Sequence, residues 1–228
     1  MSQTTLKIIA VLAMLIDHAG AVLLLPIATQ GEMVELYWIT RYIGRTAFPI
    51  FAYLVAVGCA HTKNIKAYAL RLALFALLSQ IPFDLAFGNE ISFIAQTNVF
   101  YTLFLGVLSI ALFKTLGSRL WMALLVLPPS ALAAELLGTD FGAFGVILIF
   151  ILYVAKPLIN LHAALIVATF MVYLYFGSVG FLVFGLAAAV CIFFNNGKRA
   201  LRQPLGRYGF YAFYPAHLAF LWALANFL

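Results

Sequence analysis

Two titratable residues, Asp17 and His18, are neighbours inside a long apolar stretch near the start of the chain. This stretch, residues 10–25, belongs to an apolar run long enough to cross a bilayer. An ionisable side chain at that depth costs at least a few kcal/mol and usually faces a polar cavity. Consecutive helical residues point about 100° apart, so the two side chains can serve different neighbours. A segment that only anchors a protein in the membrane does not need such a pair. The pair instead indicates proton chemistry or transport.

Polar residues also occur in the other apolar segments of the chain. Those expected in the middle or outer half of a membrane are Arg45, Asp84, Asn98, Asp140, Tyr214 and His217. A single intramembrane polar group is often structural, but polar groups on six segments predict a water-accessible cavity. Two interpretations of Arg45 stay open: an ion-pair partner for Asp17 or Asp84, or a binder of an oxyanion or carboxylate. His18 is likewise either functional or a buried structural histidine.

The composition requires these residues to be positioned by membrane helices. The chain of 228 residues is 66% hydrophobic and only 9% charged, with a mean hydropathy of +1.09. About a quarter of the residues in a soluble domain are charged, so no sizeable soluble domain is expected. The net charge of +6 comes from basic residues in short loops. That placement is typical of the positive-inside rule and argues against nucleic acid as a partner.

Nine apolar runs have the length of a membrane span. They predict helices at residues 6–26, 41–60, 66–87, 97–114, 119–137, 141–157, 160–176, 178–195 and 206–227. The range is eight to ten spans, because Gly177 and Ser178 mark either a tight hairpin or a kink. The predicted fold is an all-α polytopic transmembrane bundle, with residues 1–228 forming a single domain.

The distribution of charge predicts a cytoplasmic N-terminus. Eleven basic residues fall at alternate ends of the segments, on one side: Lys7, Lys63, Lys66, Arg71, Lys114, Arg119, Lys156, Lys198, Arg199, Arg202 and Arg207. The acidic residues Glu32, Glu35, Asp84, Glu90, Glu135 and Asp140 fall at the opposite ends. Only Arg41 and Arg45 break this pattern, so the basic side is assigned to the cytoplasm.

Four cations follow the eighth predicted segment: Lys198, Arg199, Arg202 and Arg207. They can anchor the topology, or they can also bind an anionic donor or a lipid headgroup. Sequence motifs for a nucleophilic serine, a nucleotide loop or a zinc site are absent, and no spacing predicts a metal. The cysteines, Cys59 and Cys191, do not belong to the cluster of polar residues expected at the cavity. Their position argues against a covalent cysteine intermediate.

Several short motifs, in order along most of the chain, resemble the TraX family of conjugal-transfer membrane proteins. They are Leu-Ile-Asp-His at 15–18, Gly-Arg-Thr-Ala-Phe-Pro-Ile-Phe at 44–51, Gln-Ile-Pro-Phe-Asp at 80–84, Asn-Val-Phe-Tyr-Thr at 98–102, Asp-Phe-Gly-Ala-Phe-Gly at 140–145 and Tyr-Ala-Phe-Tyr-Pro-Ala-His at 211–217. The family is known for acetylating the N-terminal amine of F-type pilin. It is similar, at a distance, to the acyltransferase-3 membrane enzymes, which also place a histidine in the first helix and an arginine soon after.

The resemblance implies a bacterial inner-membrane acetyltransferase that takes acetyl-CoA as donor and a pilin subunit as acceptor. Acyl transfer to an amine needs a base and donors for the developing oxyanion. We expect His18 to be the base, Asp17 or another carboxylate to orient it, and Arg45 to stabilise the oxyanion or hold the acceptor. His217 is the second candidate for the base.

The remaining assignments concern binding. The expected contacts to substrate are Asp84, Asn98, Asp140, Tyr214 and His217, and the expected contacts to coenzyme A are Lys198, Arg199, Arg202 and Arg207. Membrane lipid is the other expected partner. Two alternatives to an enzyme stay open: a transporter with a proton or substrate relay, which inverted repeats would favour, and a non-catalytic pilin assembly subunit.

Overall fold

The computed structural model describes residues 1–155, 160–174, 178–197 and 208–227. These residues form helices and connecting turns, with no strand among them. The helices are α1 (Gln3–Ala19), α2 (Leu25–Ala28), α3 (Val34–Gly44), α4 (Ala47–His61), α5 (Ile65–Phe87), α6 (Val99–Thr115), α7 (Ala123–Leu136), α8 (Gly142–Val154), α9 (Asn160–Leu174), α10 (Val179–Phe193) and α11 (Gly209–Phe227). The prediction of an all-α chain is therefore confirmed.

Each of the nine predicted segments coincides with helical structure in the described part of the chain. A π-helical turn, Gly20–Leu24, joins α1 to α2, and a 3-10 turn, Leu120–Met122, precedes α7. Three helical stretches are long and apolar enough to cross a membrane: Gln3–Ala28, Val34–His61 and Ile65–Phe87. Shorter apolar helices account for most of the rest, and the orientation of the bundle stays a prediction.

The second predicted segment begins earlier than expected, at Val34 rather than residue 41. Met33 has a left-handed backbone (φ 52°) immediately before the helix, and Glu35 places a favourable negative charge in its first turn. The same segment is interrupted at Arg45 and Thr46, between α3 and α4. Pro49 explains the position of the break, because proline has no N–H to donate to the carbonyl of Arg45.

The π-helical turn directly follows His18 and Ala19. Its closing bond runs from the N–H of Leu25 to the carbonyl of Gly20, five residues back. Pro26 is the sequence feature behind this irregularity, since it cannot donate to the carbonyl of Val22. Single π-helical turns of this kind often occur at functional sites.

The central helices of the bundle are α4 and α6, each of which has ten buried residues. α6 packs against α5, α7 and α8, while α1 packs against α3, α4 and α11. One side of α5 is left exposed and, after Lys66 in the first turn, carries large aliphatic residues: Leu70, Leu74, Leu77, Leu78, Ile81 and Leu85. An exposed apolar stripe of that length is typical of a surface that faces lipid.

Close packing between α6 and α8 depends on Gly106. A Cβ atom there would lie 2.7 Å from Cδ1 and 2.9 Å from Cγ2 of Ile149. We therefore expect Gly106→Ala to destabilise the purified protein in detergent by about 1–3 kcal/mol, measured by thermal unfolding. Ile149→Ala should also destabilise on its own, but the double variant should lose less than the sum of the two. Additive losses would contradict the close contact.

Candidate active site

The first and last helices meet through a pair of buried imidazoles. Nδ1 of His18 in α1 lies 2.7 Å from Nε2 of His217 in α11, across 199 residues of sequence. The rings are nearly parallel, at 3°, with centroids 5.0 Å apart. His18 is 7% exposed and His217 is 6% exposed. Burying an imidazole costs free energy if its polar atoms have no partner. The hydrogen bond between the two rings therefore stabilises both of them in their buried positions.

The hydrogen bonds assign the tautomers of both rings. Nδ1 of His217 lies 2.9 Å from the carbonyl oxygen of Phe213, which can only accept, so this nitrogen carries the proton. Nε2 of neutral His217 is then an acceptor, and Nδ1–H of His18 must donate to it. His18 therefore keeps the lone pair of its Nε2 for an external proton.

Aromatic side chains surround the histidine pair and limit its contact with water. Phe87 and Tyr214 contact the His18 ring edge-on, with centroids 5.5 Å and 5.8 Å away. Phe213 stacks on the His217 ring at 4.8 Å. Low local polarity strengthens the hydrogen bonds along this chain of groups.

Asp17 points away from the histidine pair and toward the end of α3. Its Oδ1 lies 3.0 Å from Nη1 of Arg41 and 4.0 Å from Nη2 of Arg45. Arg41 also donates to the backbone carbonyl of Asp17 at 3.3 Å. Gly44 makes this approach possible, because any Cβ there would overlap the Asp17 side chain. The partner that orients His18 is consequently His217, whereas Asp17 pairs with the arginines.

These groups line one continuous cavity of about 770 Å³. His18, Asp17 and both arginines contribute to its wall, as does Tyr214. His217 is not among the lining residues, so it lies behind His18 as seen from the cavity.

Asp140 lies at the same end of the cavity as the arginines and is exposed to it. The turn that carries it is fixed by backbone bonds to the segment before α6: the N–H of Asp140 donates to the carbonyl of Thr97, and the N–H of Thr97 to that of Gly138. The charges of Arg41 and Arg45 act on this carboxylate. Asp140 also lines a second cavity of about 410 Å³, which Arg45 shares.

Asp84 and Asn98 lie elsewhere, in a fully buried network outside the cavity wall. Gln80 connects them: its Nε2 donates to Oδ1 of Asp84 at 2.9 Å, and its Oε1 accepts from Nδ2 of Asn98 at 2.8 Å. The N–H of Ser92 donates to the other oxygen of Asp84. The structure thus gives both residues protein partners that tie α5 to the loop before α6, and neither faces the cavity.

The four cations expected to hold coenzyme A, Lys198, Arg199, Arg202 and Arg207, lie outside the described residues. Within the described ranges, no cluster of three or more His, Cys, Asp or Glu residues could hold a metal ion.

Sequence reasoning missed two residues of this region. Arg41 appeared only as an exception to the charge pattern, although its spacing of four from Arg45 places both on one face of a helix. Gln80 was quoted only as part of a motif, and its role in joining Asp84 to Asn98 depends on packing between α5 and α6.

The fold and the site together define a helical membrane protein with a buried histidine pair beside a cavity whose wall carries charged side chains. A family model described as TraX protein matches residues 2–225, so the chain belongs to the TraX family, as its motifs indicated. The chain is 30% identical over 246 aligned residues to the probable fimbrial assembly protein FimC, serogroup H1, of Dichelobacter nodosus. That alignment covers 100% of this chain and 97% of the relative. No solved structure matches the chain.

The Asp17 carboxylate offsets two guanidinium charges, so its loss should affect stability. We expect Asp17→Asn to lower the free energy of unfolding by about 1–3 kcal/mol, below the 3–5 typical of a fully buried pair, because solvent reaches both side chains. Thermal unfolding in detergent measures this effect. Glu90→Gln, which removes an exposed acid from the loop between α5 and α6, is the matched control and should change little. If both substitutions had equally small effects, the ion pair of Asp17 with the arginines would not contribute to the free energy of unfolding.

Proposed function

We propose that this protein is a polytopic inner-membrane acetyltransferase that moves an acetyl group from acetyl-CoA to an acceptor amine. The observation that carries the proposal is a series of two hydrogen bonds, from the Phe213 carbonyl to His217 and from His217 to His18, which lines the cavity. A buried neutral imidazole with one oriented ring nitrogen and one open lone pair has the properties of a general base.

This geometry supports the following chemical step. The acceptor amine attacks the thioester carbonyl carbon, so a C–N bond forms as the C–S bond breaks. Nε2 of His18 takes the proton that the amine loses, and the same proton then passes to the departing thiolate to give the free thiol. Atoms and charge balance, and no metal or redox partner is required.

His217 acts as a positioning residue for this step. When His18 becomes protonated, the positive charge develops next to Nε2 of His217, which accepts its Nδ1–H at 2.7 Å. His217 in turn donates to the Phe213 carbonyl, so the negative end of that dipole faces the developing charge. The pair holds one tautomer and stabilises the imidazolium, the role that a carboxylate has in a Ser-His-Asp triad.

Besides a base, acyl transfer needs hydrogen-bond donors for the developing oxyanion, and the arginines at the cavity can provide them. Arg41 and Arg45 place guanidinium groups on the wall that also carries His18, where they can stabilise the developing oxyanion. Asp17 holds Arg41 in position through its carboxylate at 3.0 Å. Asp140 adds a carboxylate at the same end of the cavity, which favours the approach of an acceptor in its ammonium form. This acceptor releases one proton to water before the neutral amine attacks.

The acceptor we propose is the N-terminal amine of a pilin subunit in the membrane. Two comparisons support it: membership of the TraX family, and similarity to a relative named as a fimbrial assembly protein. A small inserted subunit would present its N-terminus near the membrane surface, where the arginines and Asp140 are expected. We accordingly propose nine spans with the N-terminus in the cytoplasm, which puts Lys7 inside and Asp140 outside.

A transporter is the second candidate, and one observation favours it. The cavity extends along α1 from Gln3 and Lys7 to Asp17 and His18, which is most of the length of the helix. A relay of protons or a path for a small solute would also use such a cavity. Transport predicts uptake into vesicles without any acetylated product, whereas the acetyltransferase predicts product from detergent-solubilised protein with no membrane gradient.

The proposed orientation can be tested with reporter fusions. The turn between α2 and α3, residues 29–33, and the loop between α5 and α6, residues 88–98, should both lie outside the cytoplasm. Periplasm-active reporters inserted at residues 31 and 90 should therefore give signal, and cytoplasm-active reporters should not. An insertion after residue 63, between α4 and α5, should give the opposite result and serves as the control. A cytoplasmic signal at residue 31 or 90 would overturn the topology.

The assignment of the base can be tested with histidine variants of the purified protein, acetyl-CoA and an acceptor peptide. His18→Gln should lower the rate of acetyl transfer by about 10²–10⁴, because a general base is lost. His217→Gln should be milder, because its amide oxygen can still accept from His18, whereas His217→Leu removes the acceptor and should approach the His18 variant. His162→Gln, which changes an exposed histidine of α9, is the control.

The pH profile distinguishes a positioning role for His217 from a merely structural one. His217→Gln should shift the pH dependence of kcat/KM, since the group that stabilises the His18 imidazolium has changed. Near-normal turnover by His18→Gln together with inactive His217→Gln would mean that His217 is the base. Normal turnover by both would overturn the mechanism.

A further inference from the structure

The second cavity, of about 410 Å³, shares part of its wall with the cavity of about 770 Å³ that His18 lines, which we call the main cavity. Five residues line both spaces: Arg45, Phe48, Thr139, Asp140 and Phe141. Among these five, the rings of Phe48 and Phe141 stack with their centroids 3.6 Å apart. A ligand at this shared wall is therefore in contact with both cavities.

The charged residues of the second cavity favour a cationic ligand. Its described wall carries two exposed carboxylates, Glu135 and Asp140, and one guanidinium, that of Arg45. Arg45 also lies 4.0 Å from the carboxylate of Asp17 in the main cavity. One oxygen of Glu135 accepts the N–H of Ala143 at 2.7 Å, which holds this carboxylate at the start of α8. A wall on which acids outnumber cations attracts an ammonium group.

A buried hydroxyl at the shared wall favours the same kind of ligand. Thr139 is only 6% exposed, and its Oγ1 has no hydrogen-bond partner among the described residues. A buried polar atom without a partner costs free energy. Thr139 precedes Asp140 in the chain and lines both cavities with it, so an ammonium group bound there would provide the missing hydrogen bond.

The remaining wall of the second cavity is largely apolar and comes from two helices. It includes Phe144 and Leu148 from α8, and Phe170 and Leu174 from α9. Phe144 is 41% exposed, so the apolar wall continues to the surface of the protein. A wall of this kind fits apolar side chains that follow a terminal amine. It does not suit a phospholipid, because the two carboxylates would repel the lipid phosphate.

We infer that the second cavity binds the first residues of the acceptor polypeptide. The terminal amine lies at Asp140 and Thr139, next to the main cavity, and the apolar side chains that follow it pack against Phe144 and Phe170. This inference rests on the proposed acetyl transfer and adds the class of acceptor, which is a primary amine followed by apolar residues. The main cavity is then left for the donor thioester, and the two substrates meet at the shared wall.

The test measures binding of two synthetic peptides to the purified full-length protein by calorimetry at pH 7. Both peptides begin with Ala-Leu-Leu. One has a free N-terminal amine, which is mostly charged at this pH, and the other carries an N-terminal acetyl group and has no such charge. The free-amine peptide should bind about 10- to 100-fold more tightly, as expected for hydrogen bonds to a charged group.

Two single variants separate the two parts of the cavity. Glu135→Gln removes the charge but keeps an oxygen for the N–H of Ala143, so it should weaken only the free-amine peptide, by about 2- to 5-fold. Phe144→Ala removes apolar contact area, so it should weaken both peptides by about 3- to 10-fold. Neither residue lines the main cavity, so affinity for coenzyme A should not change.

Glu90→Gln is the matched control, because Glu90 is an exposed acid in the loop between α5 and α6 that lines neither cavity. It should leave the affinity for both peptides unchanged. Thermal unfolding without ligand identifies a variant that is poorly folded. Because the two cavity variants are separate single substitutions, one of them keeps the test informative if the other has such a defect.

Failure of the acceptor site and failure of the proposed function give different results. If the wild type binds the two peptides equally or not at all, or if neither cavity variant changes the affinity, the second cavity is not the acceptor site. Acetylation of a small soluble amine by the same protein would still support the acetyltransferase. If the free-amine peptide binds as expected but no acetylated product forms, the acceptor site stands and the proposed reaction is overturned.

Discussion

The hydrogen bond between His18 and His217 is the interaction on which the rest of the site depends. It joins the first and last described helices across 199 residues, and it is buried. Without it, each ring would leave a polar atom unsatisfied among Phe87, Phe213 and Tyr214, at a cost of about 1–3 kcal/mol. Because apolar burial provides little attraction between helices in lipid, a bond of this kind also helps to fix the position of α11.

The polar side chains of the site form two separate sets of interactions, and no side chain is shared between them. The histidines bond to each other and to a backbone carbonyl, while Asp17 pairs with Arg41 and Arg45. Adjacent positions on α1 make this division possible, since neighbouring helical side chains point in different directions. Because His217 orients His18, the Asp17 carboxylate stays with the arginines and balances part of their charge.

Irregular backbone occurs close to the reactive groups. The π-helical turn follows His18, and the break between α3 and α4 falls at Arg45. Each irregularity has a proline a few residues later, Pro26 and Pro49, whose missing N–H removes one helical bond. Such breaks are tolerated at membrane depth where they are packed against protein or line a cavity. At the end of α3, Gly44 has no Cβ atom and so leaves room for the Asp17 side chain.

Apolar run length and local motifs are properties of neighbouring residues, so the helical class, the nine segments and the family could be predicted from the sequence. It also selected His18 and Arg45, since an ionisable residue in an apolar run is conspicuous without any structure. Which polar groups meet could be read only from the packing of the helices. The pairing of His18 with His217, the ion pair of Asp17 with Arg41, and the bond from Asn98 to Gln80 each join residues on different elements. Those contacts depend on how helices pack and rotate, and sequence spacing within one helix carries no information about the rotation of another.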